Sequence, residues 1–265
     1  MRMEIIRVRW VSSEKNVGCE KTPVKIIEEL RNLKSKENGS EIDVGKLNLE
    51  EIHVDLENEG EAHHLIYENS KESFEKNFKT LFVGGDQSID YSIVRGFGKV
   101  EHNPLLIVFD ALGDCLKCES EFPNDRNWLR KLIENGFEGS RVVLIGARNF
   151  SQEEISFLKK NRVTLISMDV LQEDLEGVCD IVMERARSAS GFYLSIGINV
   201  VDPSGAPAGL GLESGGLSSR DLIYFIKRLN RLDNFKGASV NSIDADKDIN
   251  GISIKLGVKL VGEMI

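Results

Sequence analysis

Two aspartates follow a buried apolar run in the segment LLIVFDALGD, residues 105–114. Asp110 ends the run, and Asp114 stands four residues later with Leu112 between them. A pair of carboxylates directly after a buried strand is typical of a metal site or of an acid–base pair. Leu112 occupies the place where a third polar group would complete a ligand set. The segment therefore fits a working active site, a site that has lost its chemistry, or a loop with two solvated aspartates.

Three other polar segments also follow apolar runs. They are GGDQS (84–88), GINVVDP (197–203) and SVNS (239–242). In an open parallel α/β sheet, ligands bind beyond the carboxyl ends of the strands. We therefore expect these segments and DALGD to meet at one edge of a sheet, where their chemistry would decide the function.

Eight apolar runs predict the strands that position these segments, at 4–11, 50–56, 80–85, 104–110, 141–146, 162–168, 191–198 and 235–241. They are continuous rather than alternating, which indicates a sheet covered on both faces. Helical patterns occupy 22–33, 127–136, 151–161, 218–230 and 248–265. The expected fold is a three-layer α/β/α arrangement around a mainly parallel, roughly eight-stranded sheet. Without a linker or an internal repeat, the chain is predicted to be a single α/β domain over 1–265.

Composition narrows the class of protein. A hydrophobic fraction of 41% and a charged fraction of 29% are ordinary for a globular chain. The net charge of −9 argues against a nucleic-acid or anionic-membrane partner. No apolar run approaches the roughly 20 residues of a membrane span, and the N-terminus lacks the apolar region of a signal peptide. We expect a cytoplasmic protein with no nucleic-acid or membrane partner.

Cysteine and histidine pairs offer two alternative sites. Cys115 and Cys118 form a CxxC pair, which suits a redox couple or half of a zinc site. No second pair of soft ligands accompanies it, so incidental loop residues are the favoured interpretation. His63 and His64 lie in a polar stretch and are expected on a solvated helix face.

The four polar segments together resemble the arginase/agmatinase (ureohydrolase) family. VGGDQSI (83–89) is similar to that family's GGDHS, FDALGD (109–114) to its DAHxD, and 195–218 to SxDxDxxDPxxxPxxGTPxxGGLT. SVNS stands where the family has EVNP, and IGARNFSQEE (145–154) resembles its IGxR segment. The resemblance runs in register from about residue 80 to the C-terminus. It implies an arginase-like fold.

In that family, two manganese ions share a hydroxide that attacks a guanidine or formimino carbon. The six ligand positions of the family fall here on Gln87, Asp110, Leu112, Asp114, Gly197 and Asn199. Only the two aspartates keep the family's residue, so the resemblance implies a degenerate metal site with Asp110, Asp114 and Gln87 as remnants. No residue is assigned a catalytic role, although Asp125 falls near the family's proton-transferring histidine.

The pocket predicted around these positions comprises Asp86, Ser88, Asp202 and Ser239. Ser239 replaces the glutamate that meets a cationic substrate in the family. We also predict that the amide of Gln87 or Asn199 donates a hydrogen bond to Asp110 or Asp114 in place of a metal.

The sequence thus predicts a ureohydrolase-fold protein that is inactive as an arginase or agmatinase. It would act in binding, regulation or assembly, without a cofactor, and its partners would be copies of itself, an active paralogue or a small-molecule ligand. The alternative is an enzyme that hydrolyses C–N bonds of linear amidines or guanidines. It would use one weakly bound Mn²⁺ or Mg²⁺ at Gln87, Asp110 and Asp114, assisted by Asp125 or Cys115.

Overall fold

The computed structural model describes residues 3–265 and contains one eight-stranded sheet. The strands are β1 (Met3–Val8), β2 (Asn48–Ile52), β3 (Lys79–Gly84), β4 (Pro104–Phe109), β5 (Val142–Ile145), β6 (Thr164–Ile166), β7 (Gly191–Gly197) and β8 (Phe235–Asn241). All neighbours pair in parallel, in the order β2-β1-β3-β8-β7-β4-β5-β6. The predicted α/β class and eight strands are confirmed.

Helices connect the strands, as parallel neighbours require. They are α1 (Thr22–Leu30), α2 (Glu59–Glu75), α3 (Ile89–Val100), α4 (Trp128–Glu134), α5 (Gln152–Lys160), α6 (Met168–Glu173), α7 (Leu175–Ser188), α8 (Ser219–Leu229) and α9 (Ile252–Met264). The five predicted helices are present, whereas α2, α3, α6 and α7 are not among the predicted ones. No helix in the described residues is long and apolar enough to cross a membrane.

Both faces of the sheet are buried, which explains the continuous apolar runs. In β4, Leu105, Ile107 and Phe109 enter the core beneath α1, α7, α8 and α9. The alternating residues Leu106 and Val108 enter a second core beneath α2, α3, α4 and α5. Successive side chains of a strand point to opposite faces, so the helices form two layers around the sheet.

The central strands β3, β8, β7 and β4 bring the four polar segments together. Register places Ser195 of β7 opposite Ser239 of β8, and Gly197 opposite Asn241. Phe109 of β4 pairs with Ile196 of β7, so Asp110 follows directly beside Gly197. The expected convergence of these segments at one sheet edge is confirmed.

The expectation for His63 is wrong. Its side chain is only 4% exposed, whereas His64 is exposed. His63 lies on the same face of α2 as Ile66 and Ser70, at helical spacing, and that face packs against α3. The imidazole Nδ1 lies 2.9 Å from the Ser92 hydroxyl. A polar sequence around a histidine therefore did not reveal which helix face it occupies.

Candidate functional site

Asp110 lies fully buried just beyond β4. Its Oδ1 accepts hydrogen bonds from the Leu112 backbone N–H at 2.7 Å and from the Asn199 Nδ2 at 3.0 Å. The second bond confirms the prediction that the amide of Gln87 or Asn199 donates a hydrogen bond to one of the two aspartates. Gln87 does not share this role, because its Nε2 donates instead to the Ser195 hydroxyl at 3.0 Å.

Asp114 is almost as buried, at 3% exposure, and its backbone is left-handed with φ of 47°. Its Oδ2 accepts a hydrogen bond from the Trp128 indole at 2.9 Å. Its Oδ1 has no hydrogen-bond partner. One oxygen of the carboxyl group is therefore held by α4, and the other is left unpaired in the interior.

Three oxygen atoms converge where Gly197 lacks a side chain. A Cβ built on Gly197 would lie 2.5 Å from Asp110 Oδ2, 2.7 Å from Gln87 Oε1 and 2.8 Å from Asn199 Oδ1. Of these, Asp110 Oδ2 and Asn199 Oδ1 have no hydrogen-bond partner. Buried acceptors without a donor cost free energy. These three oxygen atoms thus fill the position, and none of them donates a hydrogen bond to another.

Burial changes the titration of both aspartates. It raises the pKa of Asp110 to about 7, against the opposing effect of the bonds from Leu112 and Asn199. Burial also raises the pKa of Asp114 well above its usual range, and the nearby Asp110 carboxyl raises it further. Two carboxylates this close disfavour joint ionisation. The pair therefore holds a proton more readily than free aspartates do.

Leu112 makes the position between the aspartates apolar. It is 3% exposed, and its Cδ1 lies 2.7 Å from the place of a Cβ on Gly211. The 209–211 turn thus packs directly on this leucine. No ligand atom is available here for a metal ion.

The residues do not fit the two manganese ions that the family resemblance implies. Leu112 and Gly197 offer no ligand atom, and Gln87 and Asn199 offer neutral amides. In residues 3–265, no group of three or more His, Cys, Asp or Glu side chains is arranged to hold a metal ion. Side-chain oxygen atoms of Asp110, Gln87 and Asn199 do converge, at the place of a Cβ on Gly197.

Asp90 is a buried acid that the sequence analysis missed. Its Oδ2 accepts hydrogen bonds from the Ser195 hydroxyl at 2.6 Å and from Asn241 Nδ2 at 2.8 Å, while Oδ1 has no partner. Burial raises its pKa to about 6. Through Ser195, Asp90 joins Gln87 in one network. The available signal was its spacing, since Asp90 follows Gln87 by three residues among the buried residues of α3.

Ser239 lies in the same network rather than in an open pocket. It is fully buried, and Asn241 Nδ2 lies 3.4 Å from its hydroxyl. A serine here brings no charge to the site.

Asp86 anchors the N-terminal segment to the turn after β3. Its Oδ2 accepts from the Ser12 backbone N–H and hydroxyl, both at 2.7 Å, and from Asn16 Nδ2 at 2.9 Å. Its Oδ1 accepts from the Ser88 backbone N–H and hydroxyl. Gly85 allows this turn to pack closely against the segment after β1, because a Cβ there would lie 1.9 Å from the Trp10 carbonyl oxygen. Asp86 and Ser88 therefore shape the turn.

Asp202 organises a loop and makes no hydrogen bond to Asp110 or Asp114. Its oxygens accept from Ser204 and from the backbone N–H groups of Gly215 and Gly216. The Ser204 hydroxyl bond and these backbone bonds lower the pKa of Asp202 to about 2. The carboxylate thus closes the 202–216 loop.

Arg148, which the sequence analysis left unassigned, fixes the other side of this loop. Its guanidinium donates to the carbonyl oxygens of Gly146, Asn199, Val200, Glu213 and Ser214. The IGxR segment carried the signal. Arg148 holds the backbone of Asn199 and so positions its amide beside Asp110.

Asp125 and Arg126 lie at the rim. The Asp125 backbone N–H donates to the Ser12 hydroxyl at 3.2 Å, and burial raises the pKa of its half-buried carboxyl. Arg126 Nη1 lies 3.6 Å from the Cβ position of Gly211. The Ser12 hydroxyl thus links the Asp125 backbone to the Asp86 carboxylate, since it accepts from the first and donates to the second. Cys115 is buried, Cys118 is exposed, and both are free thiols.

The amino-acid sequence of this chain is similar to those of known proteins. A family model described as "Arginase family" matches residues 2–265. Formimidoylglutamase of Bacillus subtilis (strain 168) is 25% identical over 202 residues, which cover 72% of this chain and 62% of that protein. Mitochondrial arginase 1 of Arabidopsis thaliana is 27% identical over 226 residues, covering 84% and 65%. The matched parts span less than two thirds of either relative.

Solved structures share the fold. The crystal structure of formimidoylglutamase from Bacillus subtilis aligns with a TM-score of 0.91 at 22% identity, covering 100% of this chain and 86% of that one. The agmatine ureohydrolase of Thermoplasma volcanium aligns with a TM-score of 0.85 at 22% identity, covering 99% and 88%. At this level of identity, the similarity establishes the architecture alone.

Proposed function

This chain belongs to the arginase family, and on that premise we propose that it has lost the family's two-metal chemistry and acts by binding, regulation or assembly. The observation that carries the proposal is that Leu112 and Gly197, at two of the family's ligand positions, provide no side-chain atom that can bind a metal. Leu112 is a buried aliphatic side chain, and the place of a side chain on Gly197 is filled by oxygens of Asp110, Gln87 and Asn199. A hydroxide activated between two ions needs both positions to bind metal.

Access supports the same proposal. Gln87, Asp110, Leu112, Asp114 and Asn199 are each no more than 3% exposed. A hydrolase must admit both substrate and water to the reacting atoms. Leu112, which lies between the two aspartates in the chain, packs against the 209–211 turn. The arrangement favours a scaffold role over turnover.

The substrate side also lacks its charge. Relatives of this chain are named formimidoylglutamase, arginase and agmatine ureohydrolase. Ser239, at the position where the family resemblance puts an acidic residue, is buried and uncharged. A cationic substrate would therefore lack a carboxylate at this point. We propose that the partners are copies of this chain, an active paralogue or a small-molecule ligand.

One observation favours a second candidate, a C–N hydrolase with a single hard cation. Asp110 Oδ2, Asp114 Oδ1 and Asn199 Oδ1 are buried and unpaired, and Gln87 Oε1 lies close to two of them. Carboxylate and amide oxygens are the ligands that Mg²⁺ and Mn²⁺ accept, with water completing the shell. Such a cation would supply the donors that these oxygens lack.

Manganese binding tests the proposal. Protein purified without chelator is analysed for metal content and titrated with Mn²⁺ by calorimetry, with thermal unfolding as a second readout. We expect no stoichiometric manganese and no appreciable rise in Tm. A ligand present at 100 times its Kd stabilises by about 2.7 kcal/mol, so tight binding would be evident. Two ions per chain would overturn the proposal, and one ion would replace it with the second candidate.

A variant with restored ligands is the matched control. It carries Gln87→His, Leu112→His, Gly197→Asp and Asn199→Asp, which supply the four missing ligands. We expect it to bind two Mn²⁺ and to be less stable than the parent without metal, because four carboxylates would then repel one another. If the folded variant binds no manganese, the four side chains do not explain the loss, and the proposal fails.

A further inference from the structure

Residues 116–126 form a loop that is closed at its base and loose at its tip. The Leu116 backbone N–H donates to the Arg126 carbonyl oxygen at 3.2 Å. Between them, Lys117–Glu121 are all exposed, and residues 113–124 adopt neither helix nor strand. A compact surface loop whose ends meet is typical of an Ω-loop, a class that is frequently functional.

The C-terminal end of this loop reaches the segments around the buried aspartates. Asp125 donates its backbone N–H to Ser12, which itself donates to Asp86. Arg126 lies near the Cβ position of Gly211, at 3.6 Å from Nη1, and Leu112 reaches the same position from below. Arg126 of the loop and Leu112, which lies between the two aspartates in the chain, therefore meet at the same turn.

Phe122 attaches the middle of the loop to the body of the protein. Its half-buried ring stacks on the His63 imidazole, with centroids 5.9 Å apart and an interplanar angle of 12°. Trp10 and Tyr91 meet the same imidazole edge-on, each at 5.7 Å. Phe122 is thus the one ring of this aromatic group that the loop supplies. His63 Nε2 and Trp10 Nε1 are buried there without hydrogen-bond partners.

Few other contacts hold the tip. The Lys131 ammonium donates to the Ser120 carbonyl oxygen, and that side chain is itself on the surface. Segments with exposed backbone and few buried apolar contacts open at lower free energy than the core. The exposed residues 117–121 therefore have fewer contacts with the rest of the protein than the two ends of the loop have.

We propose that residues 116–126 are a lid over the buried Asp110–Asp114 site, latched by the stacking of Phe122 on His63. The lid opens locally and exposes the aromatic group and the rim of the site. The idea that the open lid admits a ligand rests on the proposed binding function. The stacking of Phe122 on His63 does not depend on that function.

Acylation of His63 by diethylpyrocarbonate, followed by mass spectrometry, tests the latch. Burial lowers the pKa of His63 to about 4, so the ring is neutral and reactive at neutral pH. His53, His64 and His102 are exposed and report the reagent's intrinsic rate. In the parent, His63 should react far more slowly than these three. Phe122→Ala should raise the His63 rate by about tenfold, since a stacked aromatic pair contributes roughly 0.5–1.5 kcal/mol beyond its buried area.

Three controls separate lid opening from loss of stability. Alkylation of the buried Cys179, far from the loop in sequence, reports global unfolding and should not change. Phe137→Ala removes another half-buried phenylalanine, outside the loop, and should leave His63 protected. Phe122→Tyr keeps the ring and should restore slow acylation.

Exchange of the Leu116 amide hydrogen should accelerate in Phe122→Ala, because its bond to Arg126 closes the base of the loop.

An unchanged His63 rate in Phe122→Ala would overturn the latch. So would a parallel rise in Cys179 alkylation, because the variant would then be unfolding as a whole. Manganese binding by the parent would refute the proposed function without altering the labelling result. The two failures are therefore distinguishable.

Discussion

Asp86 and Asp110 are both fully buried beyond the carboxyl ends of central strands, yet their surroundings differ. Both oxygens of Asp86 are satisfied, by donors from Ser12, Asn16 and Ser88. Asp110 accepts two hydrogen bonds on Oδ1 and none on Oδ2. Both oxygens of the Asp86 carboxylate thus have donors from this chain, whereas one oxygen of Asp110 has none.

The difference separates a carboxyl group that is fully hydrogen-bonded within the fold from one that keeps an oxygen without a donor. A carboxylate retained for stability acquires donors from neighbouring segments, as Asp86 does. A carboxylate placed for a metal keeps oxygens free for it. Asp110 and Asp114 keep that unsatisfied character although Leu112 and Gly197 provide no ligand atom. Substitutions at the two kinds of aspartate should therefore act with opposite sign.

Removal of the Asp86 carboxylate should have the largest effect. Asp86→Ala leaves the donors of Ser12, Asn16 and Ser88 buried or half-buried without their acceptor. We expect the free energy of unfolding to fall by about 4 kcal/mol, in the range for breaking a buried charged network. Urea denaturation measures the change. Asp233→Ala, at an exposed aspartate, should stay within about 0.5 kcal/mol of the parent. A loss below about 1 kcal/mol at Asp86 would show that its hydrogen bonds do not stabilise the fold.

Asp90 is intermediate, with two hydrogen bonds on one oxygen and none on the other, and its effect should depend on pH. Burial raises its pKa to about 6, so the folded state keeps a proton that the unfolded chain, with a carboxyl pKa of about 4, has released. The free energy of unfolding should therefore fall as the pH rises from about 4 to about 6, by up to about 3 kcal/mol.

Asp90→Asn removes this titration. Relative to the parent, the variant should gain stability as the pH rises through that window, and the difference should level off above it. Denaturation curves at several pH values measure the change, with Asp233→Asn as the control. A difference between variant and parent that stays constant over the window would contradict a raised pKa at Asp90.

Asp110→Asn should have the smallest effect, of opposite sign to that at Asp86. The amide oxygen can keep the bonds from Leu112 and Asn199, while the NH₂ group replaces Oδ2 close to Asn199 Oδ1 and Gln87 Oε1. Supplying donors to unpaired acceptors should stabilise the protein by about 1 kcal/mol at neutral pH. Thermal unfolding measures this change in stability. The matched comparison is Asp86→Asn, because its NH₂ group would face donors that already bond to Asp86. Destabilisation by Asp110→Asn would mean that Oδ2 already has a donor.

Much of the architecture could be predicted from the sequence. Continuous apolar runs identify strands buried on both faces, and polar segments after those runs locate the functional edge. Helices with polar composition were harder, and α2 shows why. A buried histidine such as His63 is indistinguishable in sequence from a solvated one, because burial depends on which helix packs against that face.

The sequence by itself determined the fold class and the sheet edge where the polar segments meet, since continuous apolar runs identify strands buried on both faces and the polar segments follow them. Only the tertiary structure decided which oxygens have partners. Ser12, Asn16 and Ser88 satisfy Asp86, whereas Asp110 and Asp114 remain partly unpaired. The roles of Asp90 and Arg148, and the stacking of Phe122 on His63, depend likewise on contacts between segments distant in the chain. Hydrogen bonds and stacking act over a few ångströms, so they are set by packing and cannot be read from residue order.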